Sequence, residues 1–390
     1  MKSETKNAPS LRFPEYKKPW VTYRLGEVCS KIMDGTHFSP KSKDGERKYI
    51  TSKNIKNERL DLSDIQHISE AEHRVIFART PVKVGDILLT KDGASTGNCC
   101  LNTLDEEFSL LSSVAALRTL DESFDNVFLL QNLQSTYGSR AIQNAIAGQA
   151  ITRITLDKIN NLRLKFPLLP EQQKIAAFLS SLDKKIDLLV KKKELLLKYK
   201  SGVMQQLFEQ KIRFKAHNGN KYPDWETRPF EEMFVSIPTK KFQILSSAIA
   251  SRGRFPVIDQ GQELVAGYSD DVSKVFQDTP VVVFGDHTAI LKYIDFNFVI
   301  GADGTKVLKA ANGDSKFLYY ALVINNIPTE GYKRHYSILK SVKLLVPKSR
   351  DEQIRIASFL SKIDEGIEIA DRELEVTRTF KKGLLQQMFV

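Results

Sequence analysis

Apolar residues return every seven positions through two stretches of the chain. Counting from Ile175, the same position falls on Leu182, Leu189, Leu196 and Val203, and Leu179, Ile186 and Leu207 complete the stripe. From Ile356 the series runs through Ile363, Ala370, Thr377 and Leu384, joined by Leu360, Ile367, Leu374 and Met388. Sustained seven-residue spacing predicts a long helix that packs on another helix. At 1.5 Å per residue each helix would be a rod of roughly 55–60 Å, unable to cover its own stripe. The obvious mate is the other stretch, so the two are expected to pair as an antiparallel coiled coil.

The two stretches are copies. Residues 171–208 align with 352–389 without a gap, at an offset of 181 residues, with 15 identities in 38 positions. The rest of the chain repeats more faintly. Trp20-Val21-Thr22-Tyr23 answers to Trp225-Glu226-Thr227-Arg228, Arg12-Phe13 and Arg213-Phe214 precede them, and a short apolar run ending in Pro167 or Pro347 leads into each helix. Such internal self-similarity sets the architecture. The chain divides into a globular unit (1–167), a long helix (168–210), a second globular unit (211–347) and a second long helix (348–390), with a polar linker at about 211–220. Within the globular units, β-like runs at Lys48–Thr51, Asp86–Thr90, Val114–Arg118, Pro280–Phe284 and Phe296–Ile300 alternate with turns. Helical patterns cover Asp125–Ala147 and Ser315–Asn325. The expected fold class is α+β, with largely antiparallel sheets.

Composition narrows the function. The 390 residues carry 58 Lys and Arg against 47 Asp and Glu, a net charge of +11, which admits nucleic acid as a partner. Three cysteines, Cys29, Cys99 and Cys100, lack metal-ligand spacing and fit a reducing, cytoplasmic setting. The polar start of the chain has no signal-peptide core, and no apolar run reaches membrane-spanning length. None of the 20 glycines precedes Lys, which excludes a Walker loop. There is no Pro-Pro pair of the kind an adenine methyltransferase uses to hold its base, and the six histidines form no zinc-hydrolase motif. Pro223-Asp224-Trp225-Glu226 is the faint outline of a nuclease site without its lysine. Several catalytic classes fail together, which points to a binding protein with no metal site.

The helix starts Leu168-Leu169-Pro170-Glu171-Gln172-Gln173-Lys174-Ile175-Ala176 and Ser349-Arg350-Asp351-Glu352-Gln353-Ile354-Arg355-Ile356-Ala357, with the ends Gly202–Phe208 and Gly383–Phe389, resemble the specificity subunit of type I restriction–modification systems. Asp34-Gly35-Thr36-His37, Tyr49–Ile55 and Gly85–Gly97 carry the resemblance into the first unit. The second unit lacks the Asp-Gly-Thr-His segment. The resemblance implies that each globular unit is a target-recognition domain and that the pair reads a split, asymmetric site in double-stranded DNA. It implies that the paired helices space the two readers and dock two methyltransferase subunits, and that two restriction subunits can join. S-adenosylmethionine, ATP and magnesium would then be used by those partners and by no site on this chain.

Loop residues able to meet bases or phosphates are the candidate contacts. In the first unit they are Lys53, Asn54, Lys91, Ser95, Thr96, Gln149 and Arg153; in the second, His287, Thr288, Lys306, Arg334, His335 and Tyr336. Asp34 and His37 are expected to hold a turn together instead. Two other classes stay open: a coiled-coil adapter that binds only protein, and a nuclease or methyltransferase acting alone. The charge is uneven. Residues 171–215 hold 11 basic and 5 acidic residues, a balance of +6, so over half of the excess lies on the first helix and linker rather than on the presumed readers.

Overall fold

The structure is a computed structural model that describes residues 8–42, 44–120, 122–146, 152–301, 304–325 and 334–390. The chain forms two compact units, Met1–Leu189 with Arg372–Val390, and Val190–Asp371. The two long helices, Leu169–Phe208 and Arg350–Gln387, each contribute one half to each unit.

In the first unit a four-stranded antiparallel sheet runs in the order Cys29–Asp34, Val114–Thr119, Ile87–Thr90, Cys99–Leu101. A second sheet sets Arg47–Ile50 antiparallel to Gln66–Ile68 and parallel to Ser109–Leu110. A two-stranded ribbon pairs Val21–Arg24 with Arg163–Phe166. The second unit repeats this plan. Its four-stranded sheet runs Phe234–Ile237, Thr305–Ala310, Val281–Gly285, Leu291–Ile294. Its parallel pair is Phe255–Ile258 with Phe298–Ile300, and its ribbon joins Glu226–Pro229 to Lys343–Val346. The expected α+β class and mostly antiparallel sheets are present, and the repeat extends to strand order. The helical pattern expected over Asp125–Ala147 is two helices, Asn126–Gln134 and Thr136–Ile146. They break because Ser135 turns extended and Gly138 lies against the Asn132 carbonyl, leaving no room for a Cβ.

Each long helix is locked to its unit by the same set of bonds. The Glu171 carboxylate is buried and accepts two bonds from the Arg12 guanidinium, both 2.7 Å, and one from the Trp20 indole at 3.2 Å. Glu352, equally buried, accepts from Arg213 at 2.8 and 3.0 Å and from Trp225 at 3.2 Å. Next to these, the Gln172 and Gln353 amides donate to the Pro167 and Pro347 carbonyls. They accept the backbone N–H of Asp125 and Asp314, which cap matching helices. The doubled Glu-Gln of the helix starts is therefore an anchor. Trp225, the centre of the faint nuclease outline, belongs to that anchor, while the Asp224 side chain is fully exposed.

Aromatic packing repeats as well. Trp20, Phe128 and Phe389 form one trio, with centroids 5.3–6.2 Å apart. Trp225, Phe317 and Phe208 form the other, at 5.5–5.9 Å. Within both units the helix halves run antiparallel. Lys381 pairs with Asp183 at 2.5 Å in the first unit, and Lys200 with Asp364 at 2.5 Å in the second. The two aspartates are 181 residues apart, as are the two lysines, so the pairs are reciprocal copies. Lys381 is almost wholly buried. Burial opposes its charge, but the carboxylates of Asp183 and Glu58 overcome that cost and hold its pKa above the ordinary range. Of the expected seam, Ile175, Leu179, Ile186, Leu189, Val203, Ile356, Leu360, Ile363, Leu374 and Leu384 are buried, and Leu182, Leu196 and Ile367 are half-buried. Leu196 lies opposite Gly366, where an added Cβ would stand 3.8 Å from its Cδ1.

All three cysteines are buried and unpaired. Burial pushes the Cys29 and Cys100 thiols up to about 12, and Cys99 higher still, which removes the reactive thiolate. No helix among the described residues is long and apolar enough to cross a membrane, and no cluster of three metal-ligating side chains occurs among them.

Candidate nucleic-acid interface

The candidate contacts of the first unit gather at one end of its four-stranded sheet. There Cys29–Asp34 and Ile87–Thr90 end and Val114–Thr119 begins. Lys91 leaves the sheet with its N–H donated to the Ser113 carbonyl, and its own carbonyl accepts the Ile154 N–H, both at 2.8 Å. The turn after it closes through the Thr96 hydroxyl, which donates to Gly93 O at 2.6 Å and Thr152 O at 3.2 Å. Asp92 and Arg153 form a β-bridge and an ion pair of 3.0 Å. The Ser52 N–H donates to the Ser113 hydroxyl at 3.2 Å, which brings the short 3-10 turn Ser52–Asn54 to the same rim.

The second unit builds the same rim with other side chains. Asp286 stands where Lys91 does: its N–H donates to Gly304 O at 2.7 Å, and its carbonyl accepts the His335 N–H at 2.8 Å. The charge at this point is inverted. Lys91 is buried against Asp34 at 2.8 Å, whereas Asp286 faces Lys306 at 4.0 Å and accepts the Tyr336 N–H at 2.9 Å. Lys306 also lies 5.5 Å above the Tyr336 ring.

This geometry sorts the expected contacts. Lys53 and Arg153 are exposed on the first rim, and Ser95 is half-buried beside them. Asn54, Lys91 and Thr96 are buried, and their bonds run inward: the Asn54 amide bridges Thr51 N–H to the Asp61 and Asp64 carbonyls. In the second unit Arg334 is exposed, while His287, Thr288, Lys306 and Tyr336 are half-buried. His335 is buried, with Nδ1 3.1 Å from the Asp286 carbonyl. Gln149 lies outside the described residues. Asp34 and His37 approach to 3.6 Å, consistent with their expected turn.

Two features have no counterpart in the sequence reading. The first is the turn Asp259–Glu263, which follows the strand Phe255–Ile258 as Thr51–Asn54 follows Arg47–Ile50. It shares no residue with its partner, so only topology reveals it. The second lies on the outer faces of the long helices. Leu188, Leu195 and Tyr199 are exposed, and so are Ile369, Val376 and Phe380, their equivalents at the 181-residue offset. The first unit carries Leu188, Val376 and Phe380; the second carries Ile369, Leu195 and Tyr199. Reading the chain for exposed apolar residues common to both copies would have found this stripe.

Two readers of one topology, each clamped to a long helix, match a known family over most of the chain. The model of the type I restriction modification DNA specificity domain matches residues 17–198 and again 222–377. The chain belongs to that family. The specificity subunit is 26% identical to the type I restriction enzyme MjaVIII specificity subunit of Methanocaldococcus jannaschii, over 78% of each chain. Its fold is that of the type I restriction-modification S subunit from M. genitalium, with a TM-score of 0.64 at 16% identity over 98% of this chain and 99% of that one. A chain solved in work on complex assembly and conformational transition of the type I R-M system matches at a TM-score of 0.50 and 17% identity, over 95% and 98% of the two chains. The two rims described above therefore belong to DNA-recognition domains of a specificity subunit.

Proposed function

We propose that the two recognition domains read the two halves of a split, asymmetric site in double-stranded DNA. The observation that carries this reading is one rim built twice on identical strand order with different side chains. Equal scaffolds present the two rims alike, and unlike rims, such as Lys91–Asp34 against Asp286–Lys306, select different bases. Lys53 and Arg153 in one unit and Lys306 and Arg334 in the other are the cations placed for phosphate or guanine contact. The long helices set the unread gap. Their exposed stripe docks two methyltransferase subunits, one on Leu188, Val376 and Phe380 and one on Ile369, Leu195 and Tyr199. Two doubled apolar patches fit two copies of one partner better than a single adapter contact. S-adenosylmethionine is bound by those subunits, and ATP and magnesium by two restriction subunits. The chain itself supplies address and assembly, in the cytoplasm where such DNA lies.

Mixing the chain with its cognate methyltransferase subunits should give a complex that protects one split DNA site and methylates adenine within it. A complex without sequence preference would sink the proposal. Val376→Asp with Phe380→Asp should reduce methyltransferase retention in a pull-down from two copies to one while leaving the thermal transition in place. Retention of both copies would remove the stripe from the docking role.

A further inference from the structure

Lys292 is a buried lysine, 5% exposed, in the edge strand of the second unit's four-stranded sheet. Its ammonium donates to the Asp259 carbonyl at 2.9 Å and to the Glu263 carbonyl at 2.5 Å, and lies 3.6 Å from the Asp259 carboxylate. One side chain thus ties both ends of the turn Asp259–Glu263. The register shows what stands there in the first unit. Leu88 pairs with Cys100 and Ala116, and Val283 pairs with Lys292 and Val307, so Cys100 is the equivalent of Lys292. Cys100 packs in an apolar cluster, so the sheet itself does not require a cation at this point. Placing an ammonium there is costly, and burial pulls the Lys292 pKa below its ordinary value against the opposing pull of Asp259 and Glu263.

The turn is also fitted from the other side. A Cβ at Gly301 would stand 2.7 Å from Asp259 Cβ, and one at Gly304, where φ is +89°, would stand 2.8 Å from Gln260 Oε1. Gln260 accepts the His287 N–H at 3.2 Å through its side chain and the Thr288 hydroxyl at 2.7 Å through its carbonyl. The segment is held by Lys292 below and by the rim loop beside it. Gln262 and Glu263 remain exposed on it. In the first unit a different buried residue, Asn54, does the same for the loop after the equivalent strand.

We infer that the turn Asp259–Glu263 is a base-reading segment of the second recognition domain, with Gln262 as a specificity-determining residue and Lys292 as its positioning residue. This rests on the reading of the domain as one of two half-site readers. The Gln262 amide offers one donor and one acceptor side by side, the pattern that matches the major-groove edge of adenine.

The test is methylation-motif sequencing with the full chain in complex with its methyltransferase subunits. Gln262→Ala, an exposed change, should lower discrimination at one position of one half-site about tenfold, within the range for a lost bidentate base contact. Lys292→Met should lower discrimination across that same half-site and leave the other half-site as in the parent. A purely structural lysine would instead lower methylation of the whole site without changing its sequence. A parent motif that both variants keep at full selectivity overturns the inference, as does relaxation of both half-sites together. A parent complex without any motif would instead sink the functional reading beneath it.

Discussion

Replacing Glu171 by Ala should destabilise the first unit by about 3–5 kcal/mol, the usual cost of removing one partner from a buried ion pair. The carboxylate is 2% exposed and accepts from Arg12 twice and from Trp20 once. Without it the guanidinium and the indole N–H are left under the helix start with no acceptor, and burying such groups unpaired is what makes the change severe. Denaturant unfolding should show an early transition for the first unit. Glu352→Ala should do the same to the second, because Arg213 and Trp225 repeat the arrangement. Losses below about 1 kcal/mol would place the anchor among ordinary surface pairs. In the assembled complex each substitution should weaken selection at one half-site more than at the other.

Inserting four residues after Val190 should lengthen the unread gap of the DNA target while both half-sites stay the same. Four helical residues add about 6 Å. Duplex DNA rises about 3.4 Å per base pair, so the gap can grow by at most about two pairs. Only one of two paired helices is lengthened, and the Lys193–Asp371 and Lys200–Asp364 ion pairs resist the slip. A matched insertion after Asp371, the repeat equivalent of Val190, relieves that resistance and should give the fuller change. Motif sequencing reads the outcome, and a gap that stays constant in both variants would remove the spacer role from the helices.

The long helices and their partners were legible because a seven-residue period survives any tertiary context. Leu179 and Leu360 are fully buried where the period places them. Strand positions such as Val281–Gly285 and Val114–Thr119 were legible within a residue or two from short apolar runs. What the sequence concealed was the direction in which loop polar groups point. Lys53 and Asn54 are neighbours of similar polarity, yet one is exposed and the other is buried under its loop. Lys91 and Lys292 are inside for different reasons, one paired with a carboxylate and one with carbonyls. The outer apolar stripe was hidden by the same helical period that revealed the seam. Residues outside that period were read as solvated, although Leu188, Leu195 and Tyr199 are apolar in both copies.

The division of the helices between units bears on the order in which the protein is made. The core of the first unit includes Leu384, Leu385, Met388 and Phe389 beside Trp20, Phe128 and Ile175. Its helix partner, Arg372–Val390, begins 183 residues after Leu189 in synthesis. At roughly 5–20 residues per second that is a delay of about 10–40 s. During it the Ile175, Leu179 and Leu182 face of the nascent helix has no mate from its own chain. The second unit meets no such wait, since both its helix halves lie within one continuous segment. The half of the protein that emerges first from the ribosome is therefore the half that finishes folding last.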